Sequence, residues 1–541
     1  MPQDQGWTWG ANRRGTLDIL WTCISTLALC VWTAIHPNIP LVYRTWPTFL
    51  ERLGLMFLAI VFPEVIISSA WSQRRRAKEL LYDVNRSIGR TATGPASQET
   101  PIHTEAEISH QGQALLSPLS NSDQLAHKHF ALIQSHDQSS KVAPWSIQHG
   151  MFGVMGGFAI ETPYVSPTGE RHTLRRLITP AGISILAHAG YLPSLAPEDI
   201  AERSKADLFA KGVVLVQIIW FALQVLGRLS QGLPVTPLET HTAIHVGCTI
   251  LVYAIWASKP YNLVQSIKLS GPDIIYIGAF FNFQDISGEV FHQEQARYRL
   301  ERMEYWKRRV ILASQGVSPT ELPPSPPRLK SITQLIEDYS SRAIRTEAVH
   351  YTYKDEAILH AIAQDARQGL YILEKKGYTN CHGSPPGETK LLRQSSENFT
   401  VKAIWGGWST DIGHEPSLDK GIHILFNVLY GGSHLAAWNS AFPTTPERWL
   451  WRGCALYLTT LPFWAILWIL WWRGVKSRLK ILYLIRNGSI DIIAASLFFT
   501  VLVCYTLARC YFLVEALIGL RRLPSTAFDI VHWTSFLPHV S

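Results

Sequence analysis

The chain has 541 residues, 47% hydrophobic and 17% charged, with 49 basic against 41 acidic side chains for a formal charge of +8. That length exceeds one ordinary soluble core. The basic residues sit beside apolar segments and do not alternate with aromatics, which argues against a base-stacking nucleic-acid groove. Six of the seven cysteines fall within apolar segments or at the edge of one, which argues against a disulfide scaffold, and with no C-x-x-C pair neither a zinc knuckle nor a dithiol redox site is supported.

Apolar and charged residues are segregated along the chain. Thr16–Ile35 is the first run of about twenty apolar residues, the length that crosses hydrocarbon as a helix. It is too long, and too poor in a small-residue cleavage site, for a cleavable signal. Leu53–Trp71 follows and runs into Arg74-Arg75-Arg76-Ala77-Lys78, so residues 1–78 read as an N-terminal transmembrane hairpin. Trp21, Trp32, Trp46 and Trp71 flank these runs, as indoles do at the headgroup layer. Residues 79–144, rich in Ser, Thr, Gln and His, read as a flexible polar linker.

Residues 145–207 read as an interfacial or re-entrant segment, because the apolar run Trp145–Ile160 is short for a crossing. Leu208–Leu226 and Thr240–Ala257 form a second transmembrane hairpin, 208–257, around Gln231-Gly232-Leu233-Pro234. Residues 258–420 read as a long cytosolic region. It holds a short apolar run at Gly271–Phe283, a proline-rich linker at 316–330 and an amphipathic helix at Tyr353–Lys375. In that helix Ala357, Ile358, Ala361, Ile362 and Leu370 recur at helical spacing. A three-helix membrane region, 421–513, contains Ile422–Phe442, Cys454–Trp472 and Ser489–Leu513, before a tail at 514–541.

The positive-inside rule places Arg13, Arg14 and the Arg74–Lys78 cluster together on a cytosolic side. Counting Ile422–Phe442 as a crossing puts Arg473, Lys476, Arg478, Lys480 and Arg486 there too. The expectation is an all-α integral membrane protein of about seven transmembrane helices with long polar cytosolic loops. Its N-terminus is cytosolic, its C-terminus lumenal or external, and its setting the endoplasmic reticulum or another endomembrane. The sequons at Asn85 and Asn398 then face the cytosol.

Ionisable side chains in hydrocarbon are costly and face bundle interiors, so they mark candidate sites. Gln217, Gln224 and Arg228 share one helical face. The next span begins with Glu239 and carries His241 and His245, and Arg228 could pair with Glu239 across the hairpin. Asn427, Tyr430 and His434 share a face of Ile422–Phe442. Glu64 sits in mid-span after Pro63, where a carboxylate needs a partner or a proton, and Arg509 and Glu515 lie late in the last span. Each has a plain structural reading: glutamines join helix to helix, arginines near span ends snorkel, and buried histidines hydrogen-bond. The candidate catalytic residues are Glu64, Arg228, Glu239 and His434, and the candidate substrate-binding residues are Gln217, Gln224, His245, Asn427 and Tyr430. His241 and His245 have a ligand spacing without a third partner, so no metal site is expected. Walker A, G-x-S-x-G, H-E-x-x-H, dinucleotide and paired Asp-rich motifs are all missing, and no cofactor is expected.

Several phrases resemble a large group of fungal multi-pass membrane proteins, mostly of unknown activity. They include Arg14-Gly-Thr-Leu-Asp-Ile-Leu-Trp21, Ile35-His-Pro-Asn-Ile-Pro40, Pro63-Glu64 and Met155-Gly-Gly-Phe158. Later come Ser204-Lys-Ala-Asp207, the stretch Gln224 to Glu239, Tyr430-Gly-Gly-Ser-His434, Phe442-Pro-Thr-Thr445 and Leu520-Arg-Arg-Leu-Pro524. Some members occur in secondary-metabolite gene sets, and the resemblance implies a pericyclase-like cyclisation role, without catalytic residues to transfer. An intramolecular cycloaddition needs a greasy pocket and a few donors to polarise the substrate. The expected function is a membrane-embedded, cofactor-independent cyclase, with the lipid bilayer and a lipophilic small molecule as partners and no nucleic acid. The alternatives are a transporter or efflux helper for such a molecule, and a membrane sensor or scaffold.

Overall fold

The computed structural model describes residues 4–5, 13–92, 143–166, 168–202, 208–261, 263–290, 331–341, 354–378, 390–393, 417–478 and 489–533, with isolated positions between 301 and 312. In the first half, β1 (Asp4–Gln5) precedes α1 (Thr16–Ala34), α2 (Thr45–Val61), α3 (Pro63–Ala92) and α4 (Ile147–Val154). Then come β2 (Phe158–Val165), β3 (Arg171–Ile178), α5 (Pro180–His188), α6 (Pro197–Glu202), α7 (Leu208–Ser230) and α8 (Pro237–Trp256). The second half holds β4 (Ile267–Leu269), α9 (Pro272–Val290), α10 (Ile332–Ser341), α11 (Lys354–Lys375) and β5 (Leu392–Arg393). It ends with α12 (Ser417–Ser433), α13 (Thr445–Arg478), α14 (Ser489–Ile518) and β6 (Leu523–Pro524). The protein is a mostly helical membrane protein.

Four helical stretches are long and apolar enough to cross a bilayer: α1, Gly212–Ser230 of α7, α8, and Phe499–Arg521, which is mostly α14. Val216, Trp220 and Leu226 on α7 and Leu507 on α14 point outward, as side chains solvated by lipid do. α2 and the first turns of α3 are together apolar enough as well, but the chain bends by 111° between them. Pro63 has no N–H and its ring clashes with a preceding turn, so α2 cannot continue through it.

Both arms of this pair return to the same end of the bundle. On α2, Arg52 donates to Trp32 O at 3.1 Å, in the last turn of α1, and to the Tyr261 hydroxyl just beyond α8. On α3, Gln73 accepts from Trp256 Nε1 at 3.1 Å and Arg74 donates to Ile255 O at 2.7 Å. The opposite end is fastened by other residues. Arg14, ahead of α1, pairs with Glu239 in the first turn of α8, and its Nε donates to Ala527 O at 2.7 Å. β1 pairs with β6, and Glu447 at the head of α13 pairs with Arg521 beyond α14. At 1.5 Å per residue, α8 separates the two ends by about 30 Å.

These contacts correct three expectations. Leu53–Trp71 is a re-entrant helical pair and not a crossing, because the hydropathy window straddles the break at Pro63. Arg14 and the Arg74–Lys78 cluster lie at opposite ends, so they do not share a side. Among the described residues, length and apolarity give four candidate spans, or five if the bent pair is counted as one, where the sequence predicts about seven. Within Ile422–Phe442 only a short apolar helix, Ile424–Ala437, is present. The expected span Cys454–Trp472 lies on α13, whose later side chains fall outside the described residues.

Beyond the Arg74 end, α3 runs on into a packed layer built around a four-stranded sheet of order β4-β2-β3-β5. β2 and β3 are antiparallel, from Ala159↔Leu177 to Val165↔Arg171, and β4 runs parallel to β2. Phe158, Ile160 and Ile178 of the sheet are buried in one core with Phe280, Phe281 and Phe283 of α9. α11 packs along α9 and buries Ile358, Ile362 and Leu370, as its spacing predicts. Gly369 permits the approach, since a Cβ there would stand 2.0 Å from Tyr276 O. The segments 145–160 and 271–283, expected to be interfacial or re-entrant, supply α4, β2 and α9 of this layer, and burial within it accounts for their apolar runs. Asp285 fixes the edge strand by accepting from Leu391 N at 3.0 Å and Leu392 N at 2.7 Å, and burial pushes its carboxyl up to about 6. The first part of the expected linker is helical, to Ala92, and the Asn85 amide grips Trp145 N at 2.7 Å and Trp145 O at 3.0 Å. Residues 93–142, 313–330 and Asn398 lie outside the described residues.

The arrangement predicts sidedness. In a Cys381→Ser background, cysteines placed at Arg13 and Thr526 will react with a membrane-impermeant maleimide from one face. A cysteine at Thr168, in the β2–β3 turn, will react from the other. Labelling of Arg13→Cys and Thr168→Cys from the same face would contradict the fold.

Candidate functional site

Because α2 stops at the break and α3 restarts there, Glu64 is carried to the tip of the re-entrant pair, inside the bundle. Its side chain is 2% exposed and faces Arg509, 1% exposed, with Arg509 Nη2 2.9 Å from Glu64 Oε1. The Tyr505 hydroxyl donates to the same oxygen at 2.5 Å and accepts from Arg509 Nη2 at 2.9 Å. Tyr505 and Arg509 are four residues apart on α14, so one helix face delivers both. Asn427 Oδ1 on α12 lies 3.1 Å from that hydroxyl. The Tyr430 ring, one turn along α12, sits under the Arg509 guanidinium with its centroid 3.9 Å away, a cation–π contact in a desolvated setting.

A histidine group adjoins this pair. His241 and His245 lie one turn apart on α8, and His434 follows α12. His434 Nδ1 is 2.9 Å from Tyr430 O and must donate to it, since a carbonyl only accepts. In the neutral ring Nε2 is then an acceptor, and His241 Nδ1, 3.3 Å away, is its donor. The His434 ring stacks on Phe512 with centroids 4.1 Å apart, and its carbonyl accepts from Trp451 Nε1 at 3.1 Å. His245 meets the Tyr430 ring edge-on at 5.9 Å. Gly431 lets α12 close on α13, because a Cβ there would stand 2.6 Å from Thr459 N.

Several buried atoms of this group have no hydrogen-bond partner among the described residues: Glu64 Oε2, Arg509 Nε and Nη1, His241 Nε2 and His245 Nε2. Each such atom costs about 1–3 kcal/mol unless something satisfies it, and charged ones cost more. Chemically the group offers a carboxylate oxygen, a guanidinium edge and two imidazole nitrogens within one apolar enclosure. Among the described residues no set of three His, Cys, Asp or Glu side chains is arranged to hold a metal ion.

The profile of a family of unknown function, DUF8562, matches residues 2–276 and 378–540. This chain belongs to the DUF8562 family. Both matched blocks contribute to the polar group, and the unmatched stretch 277–377 carries most of α9 with α10 and α11, the helical cover of the sheet. No curated protein and no solved structure matches the chain.

In this DUF8562 protein the structure brings together Glu64, His245, Asn427, Tyr430 and His434 of the sequence candidates, and adds Arg509, Tyr505 and His241. Tyr505 was not singled out in the sequence, although its place one turn before an intramembrane arginine is a readable signal. Arg228, Glu239 and Gln217 have other partners. Arg228 donates to Pro234 O at 2.8 Å, Ala527 O at 3.1 Å and Asp529 O at 2.7 Å, so it docks the C-terminal segment. Glu239 accepts from Thr236 N at 2.9 Å as a helix cap and pairs with Arg14, not with Arg228. Gln217 donates to Thr26 Oγ1 at 2.8 Å, joining α7 to α1. Gln224 is half-buried on α7, one turn before Arg228.

Arg228→Met will therefore act on structure. It removes the arginine donors to Pro234 O and Asp529 O and one of the two donors to Ala527 O, and the expected cost is about 2–4 kcal/mol. Limited proteolysis should show new cleavage within residues 522–533, and an uncut segment would contradict the docking role.

Proposed function

We propose that this chain is a membrane-embedded enzyme acting on a lipophilic small molecule by acid–base catalysis without a cofactor. The reaction class is an isomerising cyclisation of the intramolecular-cycloaddition type. One observation carries the reading: the pair Glu64–Arg509, with Tyr505 and the histidines, is enclosed by an apolar bundle and retains unused hydrogen-bonding atoms. Desolvating the two ions costs several kcal/mol each, and the atoms that their pairing leaves unpartnered among the described residues are open to a bound molecule. In the proposed reaction Glu64 accepts and returns a proton, while Arg509 and Tyr505 hold its carboxylate in place. His245 Nε2 polarises the substrate, and the apolar walls fold it into the reactive shape. The resemblance to fungal membrane proteins found in secondary-metabolite gene sets supports the same class of substrate. The proposed setting is an endomembrane. The positive-inside rule puts the sheet layer and Arg74–Lys78 on the cytosolic face, with Arg14 and the segment 522–533 on the other.

A second reading is a carrier for a similar molecule. The re-entrant pair favours it, because broken helices that bring charge to mid-membrane are how many transporters build their sites.

Mass-resolved metabolite profiles of cells with the intact gene, without it, and with Glu64→Gln test the proposal. The expected result is a lost product and an accumulated isomer of the same mass, with product per unit of folded protein down at least about 100-fold in Glu64→Gln. An unchanged set of structures that differs only in distribution between cell and medium would overturn the enzyme reading in favour of the carrier.

A further inference from the structure

At the Arg14 end of the bundle, a groove of about 930 Å³ opens between the α7–α8 turn and the segment leading into α13. Its aliphatic wall is Val225, Leu229, Leu233 and Ile244, and its polar end is formed by Arg448 and Arg452. The two arginines are one turn apart near the start of α13, so both guanidinium groups serve one site. Arg452 is fixed in place: Nε and Nη2 donate to Trp438 O at 3.0 and 2.8 Å, and the Trp438 ring lies 4.7 Å away. Arg448 differs. Its Nε is buried with no hydrogen-bond partner, and among the described residues its guanidinium has no ion pair. Arg448 is half-buried, with its Nε enclosed at the polar end of the concave wall.

We propose that this groove binds an anionic membrane phospholipid. Arg448 and Arg452 grip the phosphate, for which the guanidinium fork supplies paired charged hydrogen bonds. An acyl chain lies along Val225, Leu229, Leu233 and Ile244 and leaves the groove past Leu229, which is exposed on α7. The volume lies in the range of small-molecule sites, enough for a headgroup and the upper part of one chain. The site is separate from the Glu64 group and does not depend on the proposed reaction.

The test uses the purified full chain in neutral detergent, with bound lipid counted by native mass spectrometry. Dioleoyl phosphatidic acid should be retained about tenfold more tightly than dioleoyl phosphatidylcholine. Arg448→Gln should abolish that preference. Arg448→Lys, which keeps the charge and loses the fork, should fall between the two. Arg13→Gln, at the same end but outside the groove, should match the native chain. Equal retention of the two lipids, or an unchanged preference in Arg448→Gln, would overturn the proposal. So would displacement of the phospholipid by an equimolar long-chain carboxylate, which would make the occupant a substrate anion.

Discussion

A carboxylate and a guanidinium 2.9 Å apart in the middle of the bundle hold the rest of the structure in register. Glu64 stands at the tip of a helical pair that could not stay inside hydrocarbon as a bare turn, since unsatisfied backbone there must be covered by protein. Arg509 gives the tip its anchor, and Tyr505 and Tyr430 share the charge by hydrogen bond and ring face. Phe62, the residue at the break, stacks on Tyr505 with centroids 5.9 Å apart. The bend thus rests on both an ion pair and a ring contact with the same helix.

The helix that carries Glu64 also builds the layer outside the bundle. Ala77, Leu80 and Val84 of α3 enter the core with Met151 and Phe152 of α4 and Ile183 of α5, and Asn85 clamps Trp145. A displacement of the sheet layer would therefore be felt at the intramembrane pair, about 30 Å away along one helix from residue 64 to residue 85. At the far end, Arg14, Glu239 and Arg228 staple the head of α1, the α7–α8 turn and the C-terminal segment together. The bundle is closed at both ends, and the polar group lies between the closures.

Hydropathy made α1, α7, α8 and α14 readable, because each runs apolar for the thickness of a bilayer. The rule that an ionisable group in a span needs a reason picked out Glu64, His245, Asn427, Tyr430 and His434, and these do converge. The same rule put Arg228 and Glu239 in the site, since a sequence does not show that their partners are backbone carbonyls and Arg14. The re-entrant bend was hidden because two half-length arms around Pro63 have the same mean hydropathy as one span. The sheet was hidden because the first residues of β2, Phe158, Ala159 and Ile160, are buried on both faces and do not alternate.

A double-mutant cycle on Glu64 and Arg509 tests the central pairing most directly. Unfolding free energies would be measured for the native chain, Glu64→Met, Arg509→Leu and the double variant. Each single change leaves one buried charge unpaired and should cost about 3–5 kcal/mol, whereas removing both should cost far less than the sum. A coupling of about 2 kcal/mol or more is the predicted result. Additivity within about 0.5 kcal/mol, the value for independent sites, would mean that the two side chains do not hold the tip, and would contradict the account.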